Sequence, residues 1–116
     1  MSMTNVWVMD KMKQKDVVVL NVLSPEAYAK IHIPGSFNVP WTNDANVFAK
    51  KVGQLYGKNK FYITHCSGVE CMAGPSAAKA LKDNGFQAED YPGGMEDWEK
   101  SGFPVEGSMA PHHAVK

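Results

Sequence analysis

FYITHCSGVECMAGPSAAKAL, residues 61–81, reads as three consecutive pieces. Phe61 to Thr64 is a short aromatic and β-branched run, the pattern of a buried strand. His65 to Gly74 is a loop that holds both cysteines of the chain. Pro75 to Leu81 opens a helix, with proline at an early helical position and strong helix formers after it. Strand, cysteine, small-residue loop and helix start form a chemically meaningful order. Backbone N–H groups and the positive end of the helix dipole point back into such a loop. A thiolate is stabilised there, and the thiolate is the nucleophilic form of cysteine. This places Cys66 as the candidate nucleophile and the rest of the chain as its support.

Composition bounds the alternatives. The chain has 116 residues, 44% of them apolar and 21% charged, as expected for one globular domain with a real core. Twelve basic residues balance twelve acidic ones, so nothing drives the chain toward nucleic acid or an anionic membrane. All the basic residues are lysine, so bidentate guanidinium recognition of phosphate, sulfate or carboxylate is excluded. No apolar run approaches a membrane span, and MSMTNVWVMDKMKQKD has no signal-peptide pattern, so the expected setting is cytoplasmic. Two cysteines make no disulfide framework and cannot alone close a zinc site; in the cytosol such a pair is more often catalytic or redox-active. No metal or organic cofactor is expected.

Either side of the cysteine unit, the elements alternate. Val6, Trp7, Val8, Met9 and Met12 fit a short edge strand or a turn of helix. Val17 to Val22, VVVLNV, fits a parallel strand buried on both faces. Ser24, Pro25 and Glu26 start a helix that Pro34-Gly35 closes. Ser36 to Val39 reads as a second strand. Asp44 to Tyr56 reads as a helix with Val47, Phe48, Val52 and Leu55 on one face and Gly57 as its stop. The helix from Pro75 runs to Asn84, capped by Gly85, with Ala78, Leu81 and Phe86 inward. Ala88 to Tyr91 is a last strand, Pro92-Gly93-Gly94 a turn, and Met95 to Lys100 a short helix bearing Trp98. Residues 1–106 form the domain, and 107–116 read as a frayed tail. The alternation predicts an α/β domain with a mostly parallel sheet, whose ligand sites lie at the carboxyl ends of strands.

Three segments together resemble the rhodanese (sulfurtransferase) homology domain. They are VVVLNVLSPEAYAKIHIPGSFNVP at 17–40, the strand–Cys–loop–helix unit at 61–81, and GFQAEDYPGGMEDWEKSGFPV at 85–105. The resemblance implies a single-domain member of that family, a small sheet of about five strands with helices on both faces. It also implies that Cys66 carries a persulfide during sulfur transfer. The sequence departs from the family pattern at Asn21-Val22-Leu23, where Asp-Val-Arg is usual. The loop CSGVECMAGP is longer than usual, contains Glu70 and no Lys or Arg, and holds a second thiol, Cys71.

These residues set the expectations for the site. Backbone N–H groups of Ser67, Gly68, Val69, Glu70, Cys71 and Met72 would cradle the terminal sulfur and the departing anion, as an oxyanion hole does. Cys71 is open between a packing residue, a resolving thiol that closes a disulfide on Cys66, and an acceptor. His65 follows strand alternation away from the sulfur. His32 reads as an anchor for a tight turn, Trp41 and Trp98 as core or rim aromatics, and Met72 and Met95 as a pocket mouth. Asp10, Lys11 and Lys13 read as solvated surface.

The leading expectation is a sulfurtransferase that passes sulfane sulfur through Cys66 to a thiol or cyanide, with a small sulfur donor, a thiol acceptor and a possible protein partner. Polysulfide or persulfide is the expected donor, because a dianion such as thiosulfate gains little from a loop whose fixed charge is negative. A non-turnover sulfur carrier or partner-binding module, or a Cys66–Cys71 redox switch, is the alternative. A Cys-based phosphatase or arsenate reductase is disfavoured. Phosphoryl transfer to cysteine needs an arginine at the sixth position after it, and Met72 and Ala77 stand there after Cys66 and Cys71.

Overall fold

The structure, a computed structural model, describes residues 3–110. Four parallel strands form one sheet in the order β2-β1-β3-β4: β1 Val17–Asn21, β2 Phe37–Asn38, β3 Phe61–His65 and β4 Gln87–Asp90. Five helices surround them: α1 Asn5–Lys11, α2 Pro25–Lys30, α3 Ala45–Tyr56, α4 Ala73–Asp83 and α5 Gly94–Lys100. The α/β class, the parallel sheet and the helices on both faces follow the expectation. The strand count is four among the described residues, where about five were expected. The remaining extended pairing is an isolated antiparallel bridge between His32 and Glu106.

The central strands β1 and β3 run side by side from Val17–Phe61 to Asn21–His65. Both are buried after their first residue, as a strand covered on two faces must be. One face holds Val18, Leu20, Tyr62 and Ala88 against Phe48, Ala49 and Val52 of α3 and Ala77, Ala80 and Leu81 of α4. The other holds Val19 and Ile63 against Val8 of α1 and Met95 and Trp98 of α5. Fully burying one such apolar side chain stabilises the fold by about 1.5–3 kcal/mol.

Local chemistry sets the element ends. Ser24 accepts from the Ala27 N–H and starts α2 ahead of Pro25; Asp44 does the same for α3 through Val47. Gly85 takes a φ of 86° after α4. Residues 6–9 are helical, because Thr4 caps α1 by accepting the Trp7 N–H and Val8 is buried against the sheet face. On α3, Phe48 and Val52 are buried, but Val47 and Leu55 are each 54% exposed: they lie at the margins of the apolar stripe. Helix α4 starts at Ala73, ahead of Pro75, so Gly74 is helical and buried.

The reading of a tail at 107–116 falls partly on 111–116, which lie outside the described residues. In the described part, the N–H groups of Ser108 and Met109 donate to the Ala29 and Lys30 carbonyls at the end of α2. His32 is a structural anchor: its ring stacks on Tyr28 with centroids 3.9 Å apart, and Nδ1 lies 2.7 Å from the Tyr28 carbonyl.

Candidate active site

Cys66 follows the last residue of β3 and is 3% exposed. Its side chain lies on the α3–α4 side, among residues that include Leu20, Val22 and Ala77. The Gly74 N–H, in the first turn of α4, donates to Cys66 Sγ over 3.3 Å. A thiolate or persulfide at this place meets a backbone donor and the positive end of an 11-residue helix. The donor lies beyond the 67–72 run expected to supply it. Within that run the Cys71 N–H is committed to the Gly68 carbonyl, 3.0 Å away, and closes the loop as a turn.

Cys66 and Cys71 are joined as a disulfide. Their Cα atoms are 6.3 Å apart, within the span a disulfide bridges. Cys71 is half-buried, and with Ser67, Gly68, Val69, Glu70 and Glu96 it lines an open cavity of about 430 Å³. The deeper sulfur therefore belongs to Cys66 and the outer one to Cys71. Neither methionine expected at a pocket mouth lines this cavity: Met72 is 67% exposed, and Met95 is buried in the core on the opposite face, because α5 turns it inward with Trp98.

The loop is held from outside by α5. The Met95 N–H donates to the Cys66 carbonyl over 3.0 Å, and the Glu96 N–H to the Ser67 carbonyl over 2.8 Å. This approach depends on Gly94, whose φ is +60° and whose missing Cβ would meet the backbone of Cys66, Ser67 and Gly68. Glu96 carries its carboxylate over Gly68, where a Cβ would stand 2.8 Å from Glu96 Cδ. With Glu70 this makes the mouth acidic, and among the described residues no lysine lines the cavity. The run Gly93-Gly94-Met95-Glu96-Asp97-Trp98, read as a turn and a short helix, is the segment that the family resemblance puts near the site, and the structure brings its backbone onto the cysteine loop.

One buried and one half-buried ionisable group flank the cysteine. His65 lies on the far face, with its ring centroid 6.4 Å from that of Tyr91, and its Nε2 has no protein partner. Burial pushes its pKa down to about 4, against a weak opposing bond to the Cys66 carbonyl. It stays neutral and acts as core. Asp90, at the end of β4, is on the sulfur's side. Burial raises its pKa to about 6, partly offset by the hydrogen bond with Thr64. The Thr64 hydroxyl lies 2.8 Å from the Gly74 carbonyl and 3.1 Å from Asp90 Oδ1. With one proton to give, the Thr64 hydroxyl divides it between the Gly74 carbonyl and Asp90 Oδ1, and it is as a donor to the carboxylate that it offsets the burial.

These two groups pull stability in opposite directions with pH. Between 3.8 and about 6, folded Asp90 holds a proton that the unfolded chain has lost, so its contribution falls as pH rises through that window. Between 6.5 and about 4, the unfolded chain protonates His65 and the folded one does not, so its contribution falls as pH falls. The His65 effect reaches about 3 kcal/mol, and the part-exposed Asp90 about 1 kcal/mol after screening. Asp90→Asn is therefore expected to raise stability at pH 7 by about 1 kcal/mol and to steepen the loss from pH 6.5 to 4. Urea midpoints at several pH values for both proteins check this.

A parallel α/β sheet with a cysteine under a helix N-terminus at a strand's carboxyl end defines a cysteine-centred α/β domain. Residues 4–101 match the rhodanese-like domain, and the chain belongs to that family. It is 31% identical over 96 residues to the thiosulfate:glutathione sulfurtransferase of Saccharomyces cerevisiae, covering 75% of this chain and 68% of that one. It is 30% identical over 98 residues to an HTH-type transcriptional regulator of Mycobacterium tuberculosis, covering 84% of this chain and 41% of the regulator. This chain thus spans well under half of the regulator's length. The crystal structure of the BH2092 protein from Bacillus halodurans superposes with a TM-score of 0.79 at 25% identity, over 99% of this chain and 89% of that one.

Proposed function

We propose that this chain is a sulfurtransferase in which Cys66 accepts a sulfane sulfur from a polysulfide or persulfide and passes it to a thiol or cyanide. The observation that carries the reading is the Gly74 N–H on Cys66 Sγ at the start of α4. It stabilises the attacking thiolate and then the persulfide anion, with no cofactor in the cycle. The yeast relative, a thiosulfate:glutathione sulfurtransferase, supports the class of reaction. A cytoplasmic setting suits a cycle that begins from reduced Cys66.

The acidic mouth formed by Glu70 and Glu96 selects against dianionic thiosulfate and leaves neutral or singly charged donors favoured. Intact mass tests the reading. Reduced Cys71→Ser protein, in which Cys66 is the one thiol left, is expected to gain sulfur on brief exposure to polysulfide, with alkylation and digestion locating it on Cys66. No sulfur gain from any sulfane donor would sink the reading. The double variant Glu70→Gln, Glu96→Gln is expected to raise kcat/KM for thiosulfate by about tenfold and to leave that for a neutral organic trisulfide near its starting value.

The disulfide favours a second reading, in which an external oxidant joins Cys66 to Cys71 and so switches the nucleophile off. Free-thiol counts after mild oxidation, set beside sulfur uptake, measure how far it operates.

A further inference from the structure

The sulfur-transfer reading leaves Cys71 without a task. We propose that Cys71 is a resolving thiol, so that the protein also works as a persulfide reductase that releases sulfide at the expense of a dithiol. This rests on the Cys66 persulfide of the reading above. Three observations carry it. The two sulfurs are placed to bond to each other. Cys66 is deep while Cys71 lines the open cavity. The α4 N–H that meets a sulfur reaches Cys66.

The steps balance as follows. The Cys66 thiolate attacks the outer sulfur of a persulfide donor RSSH; the S–S bond of the donor breaks and RSH leaves, giving Cys66–S–SH. The Cys71 thiolate then attacks the inner sulfur, Cys66 Sγ. The new bond is Cys66–Cys71, the broken bond is the persulfide S–S, and the leaving group is hydrosulfide. The persulfide's outer sulfur is reduced to sulfide and the cysteine pair is oxidised to the disulfide. An external dithiol restores the pair by attacking Cys71, the accessible sulfur, and expelling Cys66 as a thiolate that the Gly74 N–H and the α4 dipole stabilise. The net reaction turns RSSH and a dithiol into RSH, sulfide and a disulfide. Glu70 and Glu96 beside Cys71 suit a reductant that is neutral or cationic around its thiol.

The orientation of the pair also distinguishes resolution from simple relay. Attack on the outer sulfur would only move the persulfide to Cys71, with no sulfide released. Attack on the inner sulfur ends in the disulfide that the structure contains.

The test is an anaerobic single turnover of the reduced full chain with one equivalent of glutathione persulfide and no added reductant, read by intact mass and a sulfide probe. Wild type is expected to lose two hydrogens and to release one sulfide per chain. Cys71→Ser, and Cys71→Ala as a second variant, are expected to hold one added sulfur on Cys66 and to release sulfide at least about tenfold more slowly. In steady state, dithiothreitol is expected to drive sulfide production by wild type well above that of either variant. A wild-type chain that keeps its added sulfur, with no sulfide and no disulfide, overturns the resolving role and leaves sulfur carriage standing. An added sulfur found on Cys71 overturns it in favour of relay. Failure of every form to take up sulfur overturns the underlying reading, and the proposal with it.

Discussion

Cys66→Ser is expected to lower sulfur transfer from polysulfide to cyanide or thiol by at least about a thousandfold while leaving the fold intact. Serine is nearly the same shape, and its hydroxyl accepts from the Gly74 N–H that meets Sγ in the native chain. The backbone that aligns the residue is fixed from outside by the Met95 N–H on the Cys66 carbonyl. What disappears is the chemistry: at neutral pH an alcohol supplies almost no anion, and oxygen cannot carry a persulfide. Steady-state rates with polysulfide, together with far-UV circular dichroism and a urea midpoint taken against the reduced wild type, separate chemical loss from structural loss. The reduced comparison matters, because the variant also loses its disulfide with Cys71. Residual turnover above one per cent would mean that another group carries the sulfur, and Cys71 is the thiol to examine next.

The parts of this fold that could be read in advance are those whose cause is local. Val17 to Asn21 is continuous and apolar up to its last residue, and only a strand with a helix layer on each face suits it. Ser24-Pro25 and Gly85 mark a helix start and stop by their own conformational limits. The strand–cysteine–helix order located Cys66 for the same reason. Where the residues left alternatives open, or the structure departs from expectation, contacts across the fold decide. Val6 to Met12 fitted a short edge strand or a turn of helix, and the packing of Val8 on the sheet, with the Thr4 cap, selects the helix. On α3 the period of the stripe was legible but not its centre, which Phe86 of the next unit sets by lying against Gly53. At the site, Asp90 and Glu96 arrive from β4 and α5, more than twenty residues after the cysteine. Spacing says nothing about such a meeting; the paired glycines Gly93 and Gly94 lie in the segment, 93–98, that the family resemblance puts near the site.

Those glycines give the largest expected structural effect. Gly94→Ala is expected to destabilise the protein by about 3 kcal/mol and to abolish ordered packing of the cysteine loop. At φ +60° an L-residue carries a strain of about 1 kcal/mol or somewhat more. The added Cβ would also stand 2.8 Å from the Ser67 carbonyl carbon and 2.9 Å from the Gly68 nitrogen, and would collide with the Cys66 carbonyl oxygen. All three neighbours are backbone, so no rotamer relieves the contact. Either α5 withdraws, losing the Met95 and Glu96 hydrogen bonds to Cys66 and Ser67, or the loop moves and Cys66 leaves its place under Gly74. Both routes impair sulfur uptake. Gly102 is the control. Its φ is +79°, but no heavy atom lies within 4 Å of a Cβ there, so Gly102→Ala carries the strain without the collision. Denaturant midpoints of the two variants, with sulfur uptake measured on each, isolate the collision. Gly102→Ala is expected to cost about 1 kcal/mol and keep its activity, whereas Gly94→Ala loses both. Equal costs with activity retained would show that the loop and α5 are not pressed together as the structure has them, and Cys66 would then owe its position to α4 alone.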